Sequence, residues 1–307
     1  MTASPPPRPG PRLHPRGTAH LTAAVGGEPA GPLRPTPPPG RHPAATALVL
    51  GHSPAAPAPV LGLHPAAPAL VLVAHGSRDP RALGTVRALL ARVRELRPAL
   101  AVHLGHIELT EPLLPRTLAA LGDTPGILVP LLLNRGHHVD QDIPGTAAAA
   151  PARTRVAAPL GPHPLLVEVL HDRLAEAGWQ PGQDEAVRRS SAVVLAAAGS
   201  RVPAAATGTR RTARLLADRL GVPVVPAYAS AAAPTVPDAL RALAAGGRDR
   251  VAVASYFTAP GRFATQCAQA APWIAAAPLG AHEAMARLVL HRYDRARARE
   301  QAELTPA

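Results

Sequence analysis

The sequence predicts an α/β protein of two similar domains, each a parallel β-sheet flanked by helices, with a cleft between them. Three observations predict it. Short, wholly apolar runs alternate with amphipathic stretches, the same series of segments occurs twice, and the composition changes abruptly near residue 67.

Before that change, residues 1–66 are dominated by Pro, Ala and Gly, as in Pro5-Pro6-Pro7 and Pro37-Pro38-Pro39. Such a segment buries too little to offset its ordering entropy, and a disordered extension is expected. From residue 67 the pattern is regular. ALVLVAHGS at 69–77 reads as a strand covered on both faces, because it needs no alternation. Val86, Leu89, Leu90, Val93 and Leu96 then recur at helical spacing. A strand over 101–109, a helix over 113–121, a strand over 126–133 and a strand over 154–158 follow. Leu166, Val169, Leu170 and Leu174 mark one face of the next helix. This first domain spans 67–180, and a polar linker, 181–187, ends it.

A second domain, 188–296, repeats the first, and 297–307 form a tail. SAVVLAAAGSRVP matches ALVLVAHGSRDP and aligns Gly199-Ser200-Arg201 with Gly76-Ser77-Arg78. AVASYFTAPGRF stands in the place of LVPLLLNRGHH, and AAPLGAH in that of AAPLGPH. Three matches in one order indicate an internal duplication. Two such domains leave a cleft at the carboxyl ends of their strands, where loops supply the chemistry.

Composition excludes several classes. The single cysteine, Cys267, rules out an internal disulfide and a multi-thiolate metal site, and a reducing, cytoplasmic location is expected. Arg8, Arg12 and Arg16 are not followed by an apolar core of a signal sequence, and no apolar run is long enough to span a bilayer, so no membrane partner is expected. The net charge of +12 suggests nucleic acid, but only 2% of residues are aromatic and the arginines are scattered; a polyanionic small molecule suits the same field. The glycine-rich phosphate loops and the G-x-S-x-G elbow are missing from the sequence.

The chemistry-bearing residues cluster at predicted strand ends. His75 follows the first strand, and His138 lies in NRGHHVDQDIP after the third. Alone, His75 reads first as a structural histidine tying the turn to a backbone carbonyl; together, two neutral imidazoles on neighbouring loops suit a divalent transition metal with open positions. Glu108, at the end of the second strand, is a candidate oxygen ligand or proton acceptor. His137 lies beside the pair, and Asp140 and Asp142 either orient an imidazole or cap the following helix. Ser77 is expected to cap the next helix and to face the substrate. Arg78, Arg135, Arg201 and Arg262 are candidate anchors for carboxylates, each also readable as a solvated charge. In the second domain Ala198 stands where His75 stands, Phe263 where His138 stands, and Cys267 where Asp142 stands, so one domain holds the metal pair and the other supplies a wall; Cys267 is expected to be buried and inert. His163 and His282, each after a Pro-Leu-Gly, are expected to serve architecture common to both.

LVAHGSRDP, HIELTEPLLPRTL, VPLLLNRGHHVDQDIP and APLGPHPLL, in that order, resemble the sirohydrochlorin chelatase family, the cobalt- or iron-inserting enzymes related to the anaerobic cobaltochelatases and to ferrochelatase. The resemblance covers 67–180 well and 190–295 more loosely, as in the long, duplicated form. It implies a class II chelatase fold with a tetrapyrrole in the cleft. His75 and His138 match the family's metal-binding histidines, and Glu108 matches an acidic position, which makes these three the catalytic set. It implies no tightly bound cofactor: the divalent metal is a substrate, Co²⁺ first, with Fe²⁺ or Ni²⁺ as alternatives. The other substrate, sirohydrochlorin, carries many carboxylates for the arginines to meet. A non-catalytic paralogue that binds metal or tetrapyrrole is the rival from another class, and a metal-dependent hydrolase a third reading.

Overall fold

The computed structural model describes residues 67–180 and 184–304, so the expected extension at 1–66, the 305–307 end and residues 181–183 of the linker lie outside the described residues. The first half runs β1 (Ala69–Ala74), α1 (Pro80–Leu96), β2 (Val102–His106), α2 (Leu114–Ala119), β3 (Gly126–Pro130), a π-turn (His138–Asp142), α3 (Ile143–Ala148), β4 (Thr154–Val156) and α4 (Pro164–Glu176). After α5 (Glu185–Ser190), the second half runs β5 (Ser191–Ala197), α6 (Pro203–Leu220), β6 (Val224–Tyr228), α7 (Val236–Ala245), β7 (Arg250–Tyr256), α8 (Arg262–Gln269), β8 (Ile274–Ala275) and α9 (Glu283–Leu304). Each half forms a four-stranded parallel sheet, ordered β2-β1-β3-β4 and β6-β5-β7-β8. The fold class is the one the sequence predicts.

The unbroken apolar runs have the expected cause. In β1, Leu70, Leu72 and Ala74 enter one core, while Ala69, Val71 and Val73 enter another on the opposite face. In β5, Val193, Leu195 and Ala197 share the first core with them, and Ala192, Val194 and Ala196 face a third. Both faces of each central strand are therefore removed from water, worth roughly 1.5–3 kcal/mol for each large aliphatic side chain.

The first core is shared between the two halves. The last helix of each half crosses to the other. α4 packs on α6 and β7, whereas α9 packs on α1, β3 and α4. Directed bonds pin the crossing: Arg97 makes a two-pronged pair with Asp294 at 2.6 and 2.9 Å, and Tyr293 donates to the carbonyl of Pro68 at 2.7 Å. The boundary expected at 296 falls inside α9, which runs on to Leu304 and pairs Glu300 with Arg153 and Glu303 with Arg155 beside β4. Likewise α5 begins within the expected linker. Among the described residues no helix is long and apolar enough to cross a membrane.

Candidate functional site

In each sheet the chain winds one way from the first strand and then the other, so the loops after β1 and β3 part to either side of a switch point. His75 is the first residue after β1. β2 ends at His106, shorter than the expected 101–109, because Leu109 turns into the left-handed region at φ 63°. Glu108 is thus a loop residue rather than the end of a strand. It is still held to β1 by its N–H on the His75 carbonyl at 3.0 Å. Gly76 allows this approach: its φ is +97°, and a Cβ there would lie 1.7 Å from the Glu108 carbonyl oxygen. The result sets Glu108 Oε1 3.3 Å from His75 Nε2.

His138 opens the π-turn, and its ring lies 4.9 Å from that of His75, centroid to centroid, at 51°. The spacing of four residues brings Asp142 back under it. Asp142 Oδ2 accepts from His138 Nδ1 at 2.6 Å, and Oδ1 stands 3.4 Å from His137 Nε2. With Asp142 ionised, Nδ1 of His138 carries the proton and Nε2 keeps its lone pair. Of the two roles open to Asp142, the imidazole contact is the one present; its side chain makes no cap bond to α3. Burial, then the neighbouring His138, hold the pKa of His75 below the ordinary imidazole value, with Glu108 acting the other way. His75 is therefore neutral at physiological pH, the form that binds cations. Among the described residues no cluster of three or more His, Cys, Asp or Glu side chains is arranged to hold a metal, so the arrangement is an open pair of imidazoles.

Two cavities flank the pair. The larger, 1070 Å³, lies between the loop after β1 and the loop after β7, and Ser77, Arg78, Arg81, Arg262 and Phe263 line it. The smaller, 450 Å³, lies between the loops after β3 and β5, and Arg135, His137, His138 and Ala198 line it. His75 and Phe257 line both. Of the four candidate arginines, Arg78 and Arg262 face the larger cavity, Arg135 is engaged by Asp140 at 3.0 Å, and Arg201 is exposed outside both linings. Glu108 lies outside both linings and meets the site through His75. Ser77 does not cap α1; Asp79 does, accepting from Arg81 N–H at 3.0 Å, with Pro80 at the first helical position. Ser77 instead accepts from Asp79 N–H and is tied through its backbone to Thr110. Sequence reasoning misses Arg81, Thr110 and Phe257, which line the larger cavity; the signal for Thr110 and Phe257 is their place within HIELTEPLLPRTL and AVASYFTAPGRF.

The second half keeps the frame without the chemistry. Ser230 donates its N–H to Ala198 O at 3.0 Å, Gly199 has φ +90° against the Ser230 carbonyl, and Ala231 has φ 56°, so Ser230 is the counterpart of Glu108. Phe263 lines the larger cavity, and Cys267 is buried, its thiol pKa pushed up by burial.

His163 and His282 play the same structural part. In each, Nδ1 accepts a backbone N–H two residues on, at 3.1 Å, capping α4 and starting α9. Burial, Arg292 and His291 push the pKa of His163 down to about 4. Its folded pKa lies below the unfolded value, so the stability it contributes is complete above about pH 6.5 and is lost as pH falls toward 4. Urea midpoints at pH 7 and pH 5 should therefore differ more in the wild type than in His163→Asn, which keeps a capping oxygen but cannot titrate.

The CbiX family model matches residues 69–177 and 192–296, one copy on each half. Among solved structures, the fold is similar to SirB from Bacillus subtilis with Fe³⁺, with TM-score 0.62, 22% identity and coverage of 77% of this chain and 98% of that one. It is similar to the sirohydrochlorin chelatase SirB from Bacillus subtilis subspecies spizizenii in complex with cobalt, with TM-score 0.61, 20% identity and coverage of 77% and 97%. A multi-domain protein from Deinococcus radiodurans, described as structurally similar to chelatases with two additional novel domains, matches with TM-score 0.60, 20% identity and coverage of 74% and 55%. No curated protein sequence matches. With both halves matched by the same family model, over most of the described length, the chain belongs to the CbiX family.

Proposed function

We propose that this protein is a sirohydrochlorin chelatase that inserts a divalent metal, Co²⁺ in the first place, into the macrocycle without ATP. The observation that carries the reading is the pair of imidazoles, His75 and His138, 4.9 Å apart, with His75 lining a cavity large enough for a second substrate. Family membership and the cobalt-bound SirB relative support it. Iron, as Fe²⁺, is the alternative metal; a similar solved protein holds iron, there as Fe³⁺.

The residues have separable roles. Asp142 fixes the tautomer and direction of His138, whose Nε2 takes a coordination position. His75, neutral at physiological pH, takes a second position. The remaining positions stay with water, so the ion is held loosely enough to be handed on. As pyrrole nitrogens replace those waters, two N–H protons leave the macrocycle. His75, released from the metal, accepts one, with Glu108 at 3.3 Å stabilising the resulting imidazolium, and the other passes to the water displaced from the ion and so to solvent. Arg78 and Arg262 meet carboxylates along the macrocycle edge.

The test is insertion followed by the absorbance of sirohydrochlorin, with Co²⁺, Fe²⁺ and Ni²⁺ side by side. The reading predicts acceleration over the protein-free rate, greatest with Co²⁺. Greatest acceleration with Fe²⁺ would move the assignment to sirohaem synthesis. Binding of metal or macrocycle with no acceleration for any ion identifies a non-catalytic binder instead.

A further inference from the structure

The duplication gives the cleft two sides built from equivalent parts. Each cavity joins the Gly-Ser loop of one half to the long loop of the other: β1 with β7 for the larger, β5 with β3 for the smaller. The sequence match sets Arg262 against His137, Phe263 against His138, and Cys267 against Asp142. The larger cavity thus carries a guanidinium and an aromatic ring where the smaller carries two imidazoles.

Other differences point the same way. The Arg262 guanidinium lies 4.7 Å over the ring of Phe263, so a planar cation and an aromatic ring are stacked together in the lining of the larger cavity. Arg78 lines the larger cavity, whereas its counterpart Arg201 does not line the smaller. The smaller cavity's one arginine, Arg135, has its charge engaged by Asp140. Its imidazoles are backed by the Asp142 carboxylate, whose two oxygens reach His137 and His138. One side suits a planar polyanion and the other a cation. Size agrees. The larger cavity, at 1070 Å³, matches the top of the ~300–1,000 Å³ span of small-molecule sites, whereas 450 Å³ falls near its bottom and is ample for a hydrated ion.

We propose that the two substrates reach the histidine pair from opposite sides. The macrocycle seats in the larger cavity, and the metal ion enters through the smaller one, meeting His137 first. His137 is the most exposed of the three imidazoles, and its ring lies 6.2 Å from that of His138. On entry a nitrogen of His137 replaces one water ligand, and at the pair the nitrogens of His138 and His75 replace His137 and a second water; the ion keeps its charge of +2, and no redox step is involved. His75, which lines both cavities, is where the routes meet. This division rests on the chelatase reading above.

The experiment measures each substrate separately with the full-length protein: Co²⁺ binding alone by calorimetry, sirohydrochlorin binding alone by absorbance, and KM for each. His137→Gln should weaken Co²⁺ binding and raise the metal KM about tenfold, with kcat at saturating metal and the macrocycle affinity unmoved. Ala198→Phe narrows the smaller cavity at an exposed position and should raise the metal KM alone. Arg262→Gln should raise the macrocycle KM about tenfold and leave Co²⁺ binding as it was. The proposal is overturned if His137→Gln leaves the metal KM unchanged, or if Ala198→Phe weakens the macrocycle instead. No acceleration of insertion by the wild-type protein with Co²⁺, Fe²⁺ or Ni²⁺ would overturn the chelatase reading itself, a separate result.

Discussion

Alanine at His75 or at His138 should reduce catalysed metal insertion by more than about 100-fold while leaving the melting temperature within a few degrees of the wild type. Loss of a partner behind a metal-bound imidazole already costs about 10–100-fold, so loss of the imidazole itself should cost more. Stability should hardly change because the two side chains are 46% and 36% exposed and support none of the three cores. Asp142→Asn should fall between, at about 10–100-fold, because it keeps the shape but no longer fixes the tautomer of His138. Glu108→Gln should be milder than either histidine variant, since Glu108 touches the site only through His75. Insertion rates at saturating Co²⁺, with melting curves for each variant, check the series. A wild-type rate in either alanine variant removes the site.

The fold is largely legible in the sequence because its signals are local. A strand buried on both faces must be apolar throughout, and β1 and β5 are. The repeat sets Ala198 and Phe263 against the two histidines, and the spacing of four between His138 and Asp142 announces their contact. What stays hidden depends on contacts distant in sequence. Leu166, Val169, Leu170 and Leu174 declare a buried helix face, but nothing in their spacing says that α4 covers the other half's β7. For the same reason the repeat alone ends the second domain at 296, although Glu300 and Glu303 continue α9 along β4. Glu108 reads as part of a strand because apolar runs do not register the left-handed turn at Leu109. The cap at Asp79 is legible: Asp followed by Pro at a helix start is a stronger signal than the Ser two residues earlier. Arg201 shows the limit of arguing from repeats, since equivalence in the duplicated frame does not carry a side chain into the cleft.

Gly76→Ala and Gly199→Ala should each destabilise the protein by more than about 3 kcal/mol, a large part of the ~5–15 kcal/mol that holds an ordinary domain. Two costs combine at these positions. The backbone has φ +97° at Gly76 and +90° at Gly199, and a Cβ would lie 1.7 Å from Glu108 O or 1.8 Å from Ser230 O, which are main-chain atoms that cannot swing aside. Relief requires moving the segments whose N–H groups bond His75 O and Ala198 O, so the loops after β2 and β6 would shift with them. Gly122 separates the costs. Its φ is +58°, but nothing lies within 4 Å of a Cβ built there, so Gly122→Ala should cost only the left-handed penalty, about 1–2 kcal/mol. Urea unfolding of the three variants measures the difference, which is the part due to close backbone approach. If all three lose the same amount, the approach of Glu108 to Gly76 is not what requires glycine, and the account of how Glu108 is set beside His75 fails with it.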